Sequence, residues 1–104
     1  MPDVQLVLQF RGTAVEDADE VMEIEDALFE MLEDGEDLDG HDVRAGARNI
    51  YILTPSPEAT FRRVEPFLAR ARLLDAVTAA FRPPGAAAFT ILWPAGRREP
   101  FVLA

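Results

Sequence analysis

The chain has no cysteine and no lysine; all 10 of its cationic side chains are arginine. The first absence excludes disulfides, thiolate metal sites and thiol nucleophiles together. The second excludes Schiff-base chemistry and the lysine of a phosphate-binding P-loop. Histidine, serine, tyrosine and tryptophan occur once each, as His41, Ser56, Tyr51 and Trp93. A two-histidine, one-carboxylate metal triad is therefore impossible. No apolar run approaches the roughly 18–20 residues of a transmembrane helix. The opening Met-Pro-Asp-Val lacks the basic and apolar regions of a signal peptide. These absences argue for a cytoplasmic location and against a membrane partner.

What is present is an ordinary globular composition: 104 residues, 49% hydrophobic and 28% charged, with a net charge of −9. That length supports one domain, residues 1–104, able to bury a core without a metal or disulfide staple. The charge is split along the chain. Residues 1–43 hold 15 acids against Arg11 alone, whereas residues 44–104 hold nine arginines against Glu58, Glu65, Asp75 and Glu99. Either the two halves lie side by side and pair, which is the commoner arrangement, or an acidic face awaits a partner with a basic surface. A chain this acidic is a poor binder of nucleic acid, because phosphate neutralisation needs a basic footprint. The preference for arginine over lysine and the many alanines fit a bacterial source with a GC-rich genome.

The pattern of elements is readable. In Val4–Phe10, Val4, Leu6, Leu8 and Phe10 share one face of a strand while Gln5, Val7 and Gln9 share the other. A helix follows, with Thr13 and Glu16 at capping-box spacing, Val21, Ile24, Leu28, Met31 and Leu32 on its apolar arc, and Gly35 as the expected C-terminal cap. Leu38–Ala45 reads as a weak strand and Asn49–Thr54 as a strong one, with Gly46 in the turn between them. Ser56 is the expected N-cap of a second helix with Pro57 in its first turn, a buried stripe of Phe61, Val64, Leu68 and Ala71, and Pro66 inside it. Alanine content favours helix over 73–88. The alternation of Val77, Ala79 and Phe81 with Thr78, Ala80 and Arg82, and the turn at Arg82–Gly85, favour a hairpin of strands 76–82 and 87–93. The apolar end Phe101–Leu103 is expected to dock on the domain.

The order strand, helix, strand, strand, helix, strand, strand predicts an α+β, ferredoxin-like fold: a split βαβ antiparallel sheet with two helices on one face and an extra C-terminal strand. Residues 39–94 also carry Asp39-Gly40-His41-Asp42, Gly46, Asn49-Ile50-Tyr51-Ile52, Pro57-Glu58-Ala59-Thr60-Phe61, Val64-x-Pro66-x-Leu68 and Leu73-Leu74-Asp75. In these the chain resembles small, uncharacterised bacterial proteins of the ferredoxin-like plan. The resemblance implies that fold for about half the chain and implies no activity, cofactor or functional residue.

Four constellations bear on function. The stretch 34–42 could hold a divalent cation on Asp37, Asp39, His41 and Asp42, but an EF-hand frame puts Gly35 and Gly46 where oxygen ligands are required, and a solvated acidic loop is the expectation. A triad of His41, Asp42 and Ser56 fails because neighbours on a strand point to opposite faces. On the first helix Glu25 falls inside the apolar sector, which Met22 and Phe29 extend sideways; it either pairs with an arginine of the second helix or marks a partner-facing edge. On the sheet, Gln5, Val7, Gln9, Tyr51 and Leu53, with Leu92 as a further candidate, share an outer face without charge. Such depletion with an aromatic present belongs to association surfaces. The sequence thus predicts a non-enzymatic interaction protein without cofactor, forming a homodimer through that open face and binding a protein partner. The alternative is a small-molecule or metal-binding regulatory module lined by Tyr51, Gln5, Gln9 and His41.

Overall fold

A computed structural model describes residues 4–11, 18–44, 46–83, 85–94 and 101. Seven elements follow one another: β1 (Val4–Phe10), α1 (Ala18–Met31), β2 (Asp37–Arg44), β3 (Ala47–Thr54), α2 (Pro57–Arg70), β4 (Val77–Arg82) and β5 (Thr90–Trp93). The strands form one sheet in the order β2-β3-β1-β4-β5, with every neighbouring pair antiparallel. The fold is α+β, and the alternating residues of 77–82 form a strand in spite of their alanines.

Period-two alternation sorts β1 as expected. Leu6 pairs with Ile52 and Phe81, and Leu8 with Ile50 and Ala79, so these rows share a face. That face carries the main core, where Val21, Ile24 and Leu28 of α1 and Phe61, Val64 and Leu68 of α2 close over the sheet. Both helices therefore cover the same side, and each apolar stripe is satisfied by a sheet row.

Several element ends differ from the sequence expectation. The helix α1 stops at Met31, four residues before Gly35; that glycine, at φ 88°, sits in a separate turn closed by Glu36 N–H on the Glu33 carbonyl. The capping pair Thr13 and Glu16 lies outside the described residues. Ser56 precedes α2 but its hydroxyl makes no cap bond. Thr54 Oγ1 instead accepts the Ser56 N–H at 3.0 Å, which holds the turn into the helix. Ala71 is the exposed C-cap and not part of the buried stripe. Beyond it, Arg72 takes φ 61° while Leu73 N–H reaches the Leu68 carbonyl and Arg72 N–H that of Ala69, the Schellman pattern with its apolar Leu68–Leu73 contact. The last strand is shorter than expected, 90–93, and a register shift in its pairing with β4 sets Leu92 and Trp93 both against the helix-side core. Leu92 therefore does not join the outer face.

Candidate functional site

The outer face of the sheet holds the row Val7–Tyr51–Ala80 and, beside it, the row Gln9–Asn49–Thr78. It is not the open layer that alternation alone implied. Phe101, 8% exposed, packs with Val7, Tyr51 and Ala80, and Phe89 and Ile91 complete the cover. The Phe89 and Phe101 rings are 4.8 Å apart, and the Arg82 guanidinium lies 4.5 Å above Phe89. Val7, Gln9 and Tyr51 are consequently buried within the single chain, while Gln5 and Leu53 at the margin stay half-buried. The physical reason is that docking the chain's own aromatic end costs no association entropy, whereas a second molecule must overcome it. Val102 and Leu103 lie outside the described residues.

A polar chain ties the same face together at one end. Arg11 Nε donates to Gln9 Oε1 (3.1 Å), Gln9 Nε2 to Asn49 Oδ1 (3.1 Å), and Asn49 Nδ2 to Asp42 Oδ1 (3.0 Å). Tyr51 donates its hydroxyl to Asp42 Oδ2 at 2.9 Å. Each amide both donates and accepts, so each side chain fixes its neighbour's orientation across β1, β3 and β2. Both oxygens of Asp42 are occupied, which makes this carboxylate a strand tie and not a proton acceptor awaiting a substrate.

The four polar residues of 37–42 do not converge. From Asp37 onward the stretch is strand and not loop, so pairing sends His41 to the Ile50 row on the helix side and Asp42 to the Asn49 row on the outer side. A shift in register between Leu38 and His41, with Gly40 at φ 95°, further separates Asp37 from the others. Among the described residues no three His, Cys, Asp or Glu side chains come together to hold a metal ion. His41 likewise cannot share a small-molecule site with Gln9 and Tyr51, since the sheet lies between them.

Glu36 is a buried acid, its side chain only 6% exposed. Its Oε1 takes Arg63 Nη1 at 2.6 Å and the Glu33 N–H at 2.8 Å, and its Oε2 takes the Thr60 hydroxyl at 2.6 Å. Arg63 also reaches Glu33 at 3.2 Å and the Met31 carbonyl. Burial pushes the Glu36 carboxyl upward and is the largest single influence. The hydrogen bonds from Arg63, Thr60 and the Glu33 backbone, with the Arg63 charge, together outweigh it and hold the group below the usual carboxylate range. This cluster clamps the end of α1 to α2, and in it the acidic and arginine-bearing halves pair as the charge split anticipated. Separately, a groove of about 220 Å³ runs between α2 and β5, lined by Glu58, Phe61, Arg62, Glu65, Leu92 and Trp93. The Trp93 indole is fixed there by its N–H on the Leu74 carbonyl at 2.8 Å.

The remaining candidates meet at the α1/β2 edge. Glu25 pairs with His41 Nδ1 at 2.7 Å and not with an arginine of the second helix, because α1 lies over β2 at that point. Met22 stands three residues before Glu25 and Phe29 four after it, so both flank it on one side of the helix. They are 56% and 68% exposed, and Val43, two residues beyond His41 on the same face of β2, is 57% exposed. Since α1 links the end of β1 to the start of β2, and those strands are parallel, α1 runs against β2. Met22 thus lies toward Val43, and Phe29 toward Asp39. These three are the exposed large hydrophobic residues among those described. Around them, Asp19, Glu23, Asp26 and Glu30 of α1 pair with no cation among the described residues. Sequence reading found Met22, Glu25 and Phe29 from helical angle but missed Val43, whose signal was an apolar side chain in a strand otherwise rich in carboxylates.

Comparison with family models, curated proteins and solved structures finds no match to this chain.

Proposed function

We propose that the protein is a non-enzymatic interaction module that receives a basic protein partner at the α1/β2 edge. One observation carries this reading: Met22, Phe29 and Val43, all more than half exposed, gather at one edge beside Asp19, Glu23, Asp26 and Glu30, which pair with no cation among the described residues. Apolar contact supplies the affinity of such a surface, and the single-sign field supplies steering and partner choice. Three titratable groups suited to chemistry are engaged in structure, Asp42 by Asn49 and Tyr51, Glu36 by Arg63 and Thr60, and His41 by Glu25. The same charge disfavours a homodimer through this edge, since two copies would bring like fields together. We further propose that the domain is ferredoxin-like with β5 appended; the strand order β2-β3-β1-β4 and the two helices on one side support that plan.

Selection from a library of random 12-residue displayed peptides tests the function. The wild-type protein is expected to enrich sequences combining arginine or lysine with apolar residues. The Met22→Ser/Phe29→Ser double variant, with unchanged melting temperature, is expected to lose that enrichment. No enrichment, or the same enrichment with both proteins, contradicts the reading.

A further inference from the structure

Resting on that reading, we propose that the partner binds as an extended strand added to the outer edge of β2, with alternate apolar residues beneath α1 and the intervening basic residues on the opposite face, beside Asp37 and Asp42. The strand β2 ends the sheet, so alternate N–H and C=O groups along it point away from β3, and among the described residues no further strand pairs with that edge. Most proteins blunt such an edge or cover it. Here the exposed Met22 and Phe29 of α1 flank Glu25, whose carboxylate meets His41 of that edge strand. A further strand would lie about 4.8 Å outside β2. On its helix side it would meet His41 and Val43 within the sheet and Met22 and Phe29 of the helix above. Side chains of such a strand alternate between faces, so every second residue reaches this apolar strip.

Charge then decides what kind of strand fits. Asp37, Asp39 and Asp42 lie along β2, and Glu25 is flanked by Met22 and Phe29 with His41 as its partner. An acidic strand would meet like charge at this edge, and a second copy of β2 would bring three aspartates against three, offset by one Arg44 on each side. A strand with arginine or lysine finds opposite charge there. The carboxylates and the register shift near Gly40 therefore protect the edge against self-pairing while leaving the regular stretch His41–Arg44 available to a basic segment.

Three peptides of one length test this by fluorescence anisotropy, with amide hydrogen exchange on the bound protein. The first alternates arginine and valine. The second has the same net charge on an amphipathic helix of leucine, alanine and arginine. The third is the first with backbone N-methyl groups on every residue, so that both of its edges are blocked. The proposal expects the alternating peptide to bind at least tenfold more tightly than either control and to slow exchange at the outward amides of 41–44. Equal binding of the helical peptide, or no loss on N-methylation, overturns strand addition while the interaction reading stands. Failure of every basic peptide to bind overturns both. A dimer in sedimentation analysis, with those same amides protected in the free protein, overturns the proposal in favour of a second copy.

Discussion

At the scale of single residues, Glu36 shows how the fold uses a buried charge. A carboxylate at 6% exposure is tolerable only because an arginine, a hydroxyl and a backbone N–H all point at it. Replacing it by glutamine should destabilise the domain by about 2 kcal/mol, measured by urea unfolding at pH 7. Because the folded-state pKa is depressed, the stability from this group is present above the unfolded value near 4.5 and disappears as pH falls through the folded one. The gap between wild type and Glu36→Gln should accordingly be full at neutral pH and narrow progressively below pH 4. Phe101 is the other residue on which a surface depends. Phe101→Ala removes the ring that covers Tyr51 and Val7, and should cost about 2–4 kcal/mol in the same measurement. Neither role was readable from sequence. Glu36 is one acid among many in its stretch, and its burial depends on α2 lying beside it. Phe101 was expected to dock, yet where it docked decided whether the outer face was open or closed.

At the scale of elements, local signals were most reliable where a period and a tertiary partner agree. The alternation in β1 identified both faces correctly because β3 and β4 pair with it on either side. It could not show that one of those faces is covered by a distant segment. The α1/β2 edge was half legible for a similar reason: the helical angle singled out Met22, Glu25 and Phe29, but the partner of Glu25 depends on strand register, which chose His41 over any arginine. Helix ends were least legible. The turn at Gly35 and the Schellman end at Arg72 are both set by backbone bonds that the sequence does not display. Arg72 holds a left-handed conformation that glycine adopts more readily, so Arg72→Gly should stabilise α2's end by about 0.5–1 kcal/mol. A gain of this size in the urea midpoint checks it, and a loss would mean that the arginine side chain contributes more than its backbone costs.

At the scale of the whole molecule, residues 1–43, which supply α1 and nearly all of β2, hold 15 acids against Arg11 alone, and the apolar contact residues sit within that field. Two salt effects of opposite sign follow. Raising sodium chloride from about 10 to 150 mM, over which the Debye length falls from about 30 to 8 Å, should raise the melting temperature by screening self-repulsion along α1. The same change should weaken capture of an arginine-rich peptide, chiefly through slower association. The most direct test of the account is to titrate isotope-labelled protein with the alternating arginine–valine peptide and map the shifted amide resonances. Shifts confined to residues 22–30 of α1 and 38–44 of β2 are the predicted result. Shifts centred on Gln5, Tyr51 and Leu53, or along the groove beside Trp93, would contradict it.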